Sequence, residues 1–426
     1  MNIFDTKEYK LSRGAHIAQC MFDYVISLLA ADAFLAKLLN YVGMSDSLIG
    51  IISSITALSF LFQLLSIWYV KKIKNIKRSV TVGYTVSQLL LFSVYLIPFI
   101  KAPLNVKIWI VVAFLIASYL IKSLVSGLNF EWANSFVAPE KRARFNAINE
   151  IVSLLAVIVF TFTLGMMLDK FSNSGELEKG FLFVACSIFI FSAFNLISFI
   201  LIKNKENEKQ ISEGSFFETS INVLKDDSFR PVIVLTVLYN ASRYMNYGFL
   251  GIYKTKDLMM SVAAIQAINI FGIILRIFVS RPFGSYSDKK SFASGFALAC
   301  ILEGAACLVM SITTPQSRWM YIVYSALFNI SCAGSEMNAY NIVYNYIDKK
   351  HFIAALAIKN SIGGVCGMAA AFFAGKILSL IQSRENMIFG VHIYGQQVLC
   401  FISFVLFVLT AVYIKKKLKN AERILQ

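Results

Sequence analysis

The sequence predicts an all-α membrane protein with twelve transmembrane helices in two pseudo-symmetric six-helix bundles. Three observations predict it. Of 426 residues, 58% are apolar and only 15% charged, against about 25% charged in an ordinary soluble domain. The apolar residues gather into twelve segments near the ~20 residues that a bilayer core requires of a helix. The basic residues fall in the connections between those segments, with a strong bias to alternate ones. A mean hydropathy of +0.67 agrees, and this composition excludes a disulfide scaffold, a DNA-binding factor and a typical cytosolic enzyme.

The spans run over 16–39, 47–70, 79–100, 106–133, 146–168, 180–202, 231–252, 260–280, 291–312, 318–345, 353–381 and 391–414. Helices are required because every backbone polar group in lipid must be satisfied within the chain. Placing the N-terminus in the cytoplasm puts 26 of the 40 lysines and arginines in the two termini and the even-numbered loops. Eight lie in the opposite loops, counting Lys107 and Arg318 at the edges of their spans, and six deeper inside spans. This bias places both termini in the cytoplasm, most simply at the plasma (inner) membrane. It also accounts for the net charge of +16 by lipid topology, so no nucleic-acid partner is expected. The first 15 residues are polar and no cleavable signal peptide is read.

The longest polar stretch, 203–230, divides the chain into a bundle at 1–202 and another at 231–426. Within it, Phe216, Phe217, Ile221 and Leu224 share one apolar face of a possible interfacial helix. The halves repeat weakly. Gly284-Ser-Tyr-Ser-Asp288-Lys289-Lys290 after span 8 sits 218 positions beyond Ser66-Ile-Trp-Tyr-Val70-Lys71-Lys72 after span 2. The loop after span 10, with Asp348-Lys349-Lys350, answers Pro139-Glu140-Lys141-Arg142 after span 4. Parallel repeats about an axis along the membrane normal are a transporter architecture.

On these residues the chain resembles the major facilitator superfamily. Gly284-x-x-x-Asp288-Lys289 is similar to that family's Gly-x-x-x-Asp-Arg/Lys loop motif, and Pro139-Glu140-x-Arg142-x-Arg144 to its loop between spans 4 and 5. The first-half copy departs from the motif, with Ser66 for glycine and Val70 for aspartate. The resemblance implies a gate in which Gly284 lets the loop pack and Asp288 meets a helix N-terminus or Arg142 and Arg144. It also implies that spans 1, 4, 7 and 10 line a central cavity, and that the protein works as a monomer.

Charges inside the membrane carry the functional reading. Each costs about 2.5–3.5 kcal/mol at mid-bilayer on insertion scales, so each needs a partner or water. Lys37, Lys122, Arg243, Arg276, Lys359 and Lys376 stand against Asp23, Asp32, Glu131, Glu150, Glu303 and Glu336. Lys122 shares a helical face with Ser118, Ser126 and Asn129; Asn240, Arg243 and Tyr247 form one stripe; Asn329, Glu336 and Tyr340 form another. Asp23 and Asp32 point to opposite sides of span 1 unless that helix is broken.

The expected substrate-binding residues are therefore Lys122, Asn240, Arg243, Tyr247, Asn329 and Tyr340, and the expected proton-coupling acids are Asp23, Asp32 and Glu336. Arg243 binds an anionic group of the solute or pairs with the acid when the site is empty. One charge crossing the field gains about 2.3 kcal/mol per 100 mV, enough for roughly a 50-fold gradient. The expectation is a secondary transporter for a sugar, glycoside or small organic acid, with protons as coupling ion and no cofactor. A multidrug efflux antiporter is the alternative among transporters, given 37 phenylalanines, and a non-transporting membrane sensor the alternative outside them. The seven cysteines lie in apolar segments without a CxxC and the three histidines are scattered, so neither disulfide nor metal is expected. No HExxH, GxSxG or P-loop marks an enzyme.

Overall fold

The computed structural model describes residues 6–59, 61–62, 73, 75–138, 141–204, 223–347, 352–388 and 390–418. Thirteen longer helices follow in order: α1 Lys7–Leu29, α2 Asp32–Val42, α3 Asp46–Ser53, α4 Ile76–Val94, α5 Leu104–Ser135, α6 Arg142–Asn173, α7 Leu177–Leu201, α8 Arg230–Tyr244, α9 Val262–Lys290, α10 Phe292–Ser311, α11 Met320–Tyr346, α12 Phe352–Gln382 and α13 Gly395–Tyr413. A two-residue hairpin pairs β1 Met387–Ile388 with β2 Val391–His392 antiparallel. Every predicted span has a helical counterpart. Among the described residues, seven helices are long and apolar enough to cross a membrane, and α1 with α2 makes an eighth span bent by 41°. The remaining spans are broken by short 3₁₀ or π turns or carry more polar residues, so they fall short as single apolar rods.

The helix starts follow local chemistry. Ser45, Asn75 and Ser291 cap α3, α4 and α10, their side-chain oxygens accepting from the backbone N–H of Leu48, Arg78 and Ser294. Gly43, at φ 95°, closes α2 in the left-handed conformation that glycine adopts freely.

Span 1 is broken, as two usable aspartates would require. Ala31 is extended and Asp32 has φ 43°, a left-handed conformation that aspartate tolerates better than most side chains. The Tyr95 hydroxyl donates to the Leu29 carbonyl, satisfying a group that the break exposes. Lys37 pairs with Asp169 at 3.1 Å. Asp169 also accepts from the backbone N–H of Val262 and Ala263 at 3.0 and 2.7 Å. It therefore anchors the first turn of α9 as a helix-terminal anion.

The chain forms two compact units. The first comprises 1–44, 62–212 and 261–266, and the second 45–61, 213–260 and 267–426. In the first, α1 packs on α6 and α7 and α4 on α5 and α7, around Tyr84, Val125, Trp132, Phe136 and Phe199. In the second, α10 packs on α11 and α13 and α8 on α12 and α13, around Phe229, Phe296, Cys300 and Phe407. Burying such a set contributes chiefly through close packing, since lipid tails are as apolar as the side chains.

In the second unit, the segment 45–61 lies against the end of the seventh span and against α12. A Cβ at Gly248 would meet Ser54 Oγ and the Gly50 carbonyl, and one at Gly50 would meet the Phe249 ring. Glycine there allows backbone-to-backbone approach. Ser47 Oγ donates to the Gly375 carbonyl at 2.7 Å. Asp46, 3% exposed, accepts from Lys256 Nζ at 2.7 and 3.0 Å and from Gln382 Nε2 at 2.7 Å.

Beside this cluster, in the loop before α9, Asp257 accepts from Gln396 Nε2 at 3.0 Å. Burial, then the Asp46 charge, push Asp257 up to about 7, against the pull of Lys256 and Gln396. The folded protein thus holds a proton that the unfolded chain releases near the ordinary aspartate range. Stability from this group is full at low pH and is lost as pH rises toward 7. Asp257→Asn is expected to match the wild type at pH 4 and exceed it at pH 8 by on the order of 2 kcal/mol. That is about half the full linkage value, because the side chain is partly exposed. Thermal melts of purified protein at the two pH values check this; a lower melting point for the variant at pH 8 would reject it.

Candidate functional site

Among the described residues, each unit carries a constellation of charged groups deep within its spans. In the first, Lys122 on α5 reaches Asp23 on α1. Lys122 Nζ lies 2.9 Å from Asp23 Oδ2, donates to Ser27 Oγ at 2.8 Å and stands 5.9 Å over the Tyr84 ring. Gln88 Nε2 on α4 donates to Asp23 Oδ1 at 3.2 Å. The pair is part-exposed, at 26% for Lys122 and 17% for Asp23, so polar molecules can reach it. Asn129, one helical repeat further on Lys122's face, donates to Gln19 Oε1 and Tyr84 Oη. The Gln88 Oε1 and Asn129 Oδ1 atoms are buried and accept no hydrogen bond. Unfilled acceptors beside a charge pair are suited to a hydroxyl-bearing solute or to ordered water. Asp32 is not drawn in; it opens α2 beyond the break.

In the second unit, Arg243 on α8 turns to Glu303 on α10, not to Glu336. Arg243 Nε lies 4.0 Å from Glu303 Oε1. Arg243 Nη1 donates to the Tyr239 hydroxyl at 3.0 Å, and that hydroxyl donates to Glu303 Oε2 at 3.3 Å. The rings of Tyr247 and Phe328 each sit 5.6 Å from the guanidinium carbon, a cation–π setting. Glu336 pairs instead with Arg276 of α9 at 2.7 Å and is 55% exposed. The expected pairing of Arg243 with the span-10 acid is thus replaced by one with span 9. One turn separates Tyr239 from Arg243 on α8, and that face is the one turned to α10.

The other predicted residues are placed as follows. Asn240 donates to the Thr236 carbonyl at 2.9 Å and Asn329 to the Ser325 carbonyl at 2.9 Å, each on its own helix. Tyr247 and Tyr340 are exposed. A Cβ at Gly284 would make ordinary van der Waals contact with Met337 Cε at 3.7 Å, so this position does not demand glycine for close packing. Asp288 is exposed in the last turn of α9, and the neighbouring N-terminus of α10 is capped by Ser291. Arg142 opens α6 and is exposed; Arg144 follows it on the same helix. The first-half motif at 66–72, Pro139-Glu140, the loop 348–351 and the apolar face Phe216, Phe217 and Ile221 lie outside the described residues. Glu303, Tyr239 and Gln88 had no assigned role from sequence. The excess of paired charges in spans signalled that Glu303 has a partner, but not which one.

Helices of this length and order, with ion pairs inside apolar spans, define a polytopic helical membrane protein. The sequence matches the MFS/sugar transport protein family over residues 79–353. The chain belongs to that family, within the major facilitator superfamily, and is a transporter. No curated relative matches it. The fold is similar to the nucleoside transporter NupG, with a TM-score of 0.70 at 12% identity over 96% of this chain and 98% of that one. It is similar to a peptide transporter POT in complex with sulfate, with a TM-score of 0.68 at 13% identity over 98% and 95%. It is similar to a D-xylose-proton symporter, with a TM-score of 0.66 at 14% identity over 96% and 98%. Identities this low speak to the fold alone.

Proposed function

We propose that the chain is a proton-coupled secondary transporter moving a small polar solute by alternating access. The solute is a sugar, a glycoside or a small organic acid. The observation that carries the reading is the part-exposed Asp23–Lys122 pair, held by the Ser27 hydroxyl and the Gln88 amide, with the Gln88 and Asn129 amide oxygens unfilled. Charges at such depth in apolar spans persist where a substrate or ion pathway uses them. Lys122, Arg243, Tyr247, Asn240, Asn329 and Tyr340 are the solute-binding candidates and Asp23 the coupling acid of the first unit. Glu336 and Asp32, exposed or beyond the helix break, are weaker candidates for coupling than sequence alone made them. Gly284, Asp288, Arg142 and Arg144 are the gating candidates. The protein is proposed to be a monomer in the plasma membrane, with halves 1–202 and 231–426 joined by 203–230 and both termini cytoplasmic. The nucleoside and D-xylose-proton transporters it is similar to are named for polar solutes, and one for protons, which supports the class proposed.

The test is uptake into proteoliposomes of radiolabelled D-xylose, uridine and a small carboxylate, with and without an inward proton gradient. Asp23→Asn is expected to retain exchange but lose gradient-driven accumulation by tenfold or more. Flux of none of the three by the wild type would reject the solute class. Flux indifferent to the gradient would reject the coupling.

A further inference from the structure

Glu303 is a deeply buried carboxylate within the spans. Its side chain is 2% exposed, against 17% for Asp23 and 55% for Glu336. Asp23 has both oxygens engaged, at 2.9 and 3.2 Å, and Glu336 has Arg276 at 2.7 Å. Glu303 has a long bond from Tyr239 on Oε2, while its Oε1 accepts no hydrogen bond and lies 4.0 Å from Arg243. The guanidinium's shorter contact is spent on Tyr239. A desolvated charge this loosely compensated is expensive.

Among the described residues around Glu303, Arg243 is the cation that faces it directly, since Arg276 is engaged by Glu336. Tyr239 and Arg243 face it from α8, Cys300 and Cys307 from its own helix, and Tyr324, Cys332 and Glu336 from α11; Cys400 of α13 stands behind Cys307. Arg243 is therefore shared between two demands. It is the charge that compensates Glu303, and it is also held by the Tyr247 and Phe328 rings, where an electronegative solute group can reach it.

We propose that Glu303 is the coupling carboxyl of the second unit, carrying a proton while Arg243 is engaged by solute and giving it up when Arg243 returns. This rests on the reading of the chain as a proton-coupled transporter. The step balances simply. When a solute oxygen takes the guanidinium, Glu303 Oε1 accepts one proton from hydronium, leaving water and a neutral carboxyl. When the solute departs, the proton passes back to water and the carboxylate pairs again with Arg243. The buried group carries no uncompensated charge in either state, and one proton moves with one solute.

The test uses the reconstituted full-length protein. Infrared difference spectra between pH 5 and pH 9 read the carbonyl stretch of a protonated carboxyl without any solute. In an Asp257→Asn background, which removes the other carboxyl that titrates in this range, the band is expected with Glu303 in place and in Glu336→Gln and absent in Glu303→Gln. Its persistence in Glu303→Gln overturns the proposal, as does its absence with Glu303 in place. Should Glu303→Gln fail to fold, Tyr239→Phe serves. It removes a hydrogen bond to the charged form, and the band's midpoint is expected to move to higher pH; an unmoved midpoint counts against the proposal. In proteoliposomes with D-xylose, Glu303→Gln is expected to exchange solute but not to accumulate it down a proton gradient. Accumulation at the wild-type level overturns the coupling role. A wild type that carries no probe instead defeats the functional reading, while the infrared arm still decides whether Glu303 is the group that titrates.

Discussion

At pH 9, where Glu303 is ionised, Arg243→Ala is expected to lower the stability of the protein by about 3–5 kcal/mol, the cost of breaking a buried pair from one side, and by less at pH 5, where Glu303 takes up a proton. The substitution strands Glu303, 2% exposed, without the cation paired with it. It also removes the two ring contacts at 5.6 Å. The decisive comparison is the double variant Arg243→Ala with Glu303→Gln. If the loss comes from a stranded charge, neutralising that charge recovers more than half of it, and the two substitutions are strongly non-additive. Arg276→Ala is the control. Its partner Glu336 is 55% exposed, so water replaces the lost contact and the cost is expected to stay under about 1 kcal/mol. Thermal melts of the wild type, Arg243→Ala, Glu303→Gln, the double variant and Arg276→Ala read all of this. Equal losses in Arg243→Ala and Arg276→Ala would show that burial is not what separates the two pairs.

The span order and helical class were legible because they depend on summed hydropathy, which a sequence states directly. Which charges meet is a different matter. Asp23 and Lys122 belong to the set of deep charges, and their pairing at 2.9 Å needed only that α1 and α5 face one another. Arg243 was grouped with Glu336 because both lie on spans that line the cavity in the resembling family. The rotation of α8 about its axis turns Tyr239 and Arg243 to α10 instead, and no one-dimensional pattern encodes that rotation. The break in span 1 was stated only as a condition. What fixes it is a hydroxyl from α4, Tyr95 on the Leu29 carbonyl, a contact 66 residues away in sequence. Lys37 stands among the span charges in sequence without a named partner; it pairs with Asp169, which also anchors the start of α9. Asp46 escaped notice because it reads as an ordinary loop acid at a helix start.

That oversight leads to the other large effect. Lys256→Ala is expected to destabilise the protein by about 3–5 kcal/mol, and Asp46→Asn by about 1 kcal/mol. The two side chains form one ion pair but are unequally placed. Asp46 is 2% exposed and Lys256 46%. Removing the aspartate charge releases a lysine that water already solvates, and the asparagine oxygen still accepts from Gln382. Removing the lysine leaves a buried carboxylate held by Gln382 and the N-terminus of α3. The combined variant is therefore expected to be more stable than Lys256→Ala alone. Because 45–61 is seated partly by this pair, hydrogen exchange in that segment should speed up more in Lys256→Ala than in Asp46→Asn. Melts and exchange on the same samples read the asymmetry. A greater loss in Asp46→Asn would mean that the carboxylate is a net stabiliser even when buried, and that the seat of 45–61 depends on its charge rather than on the close packing at Gly50 and Gly248.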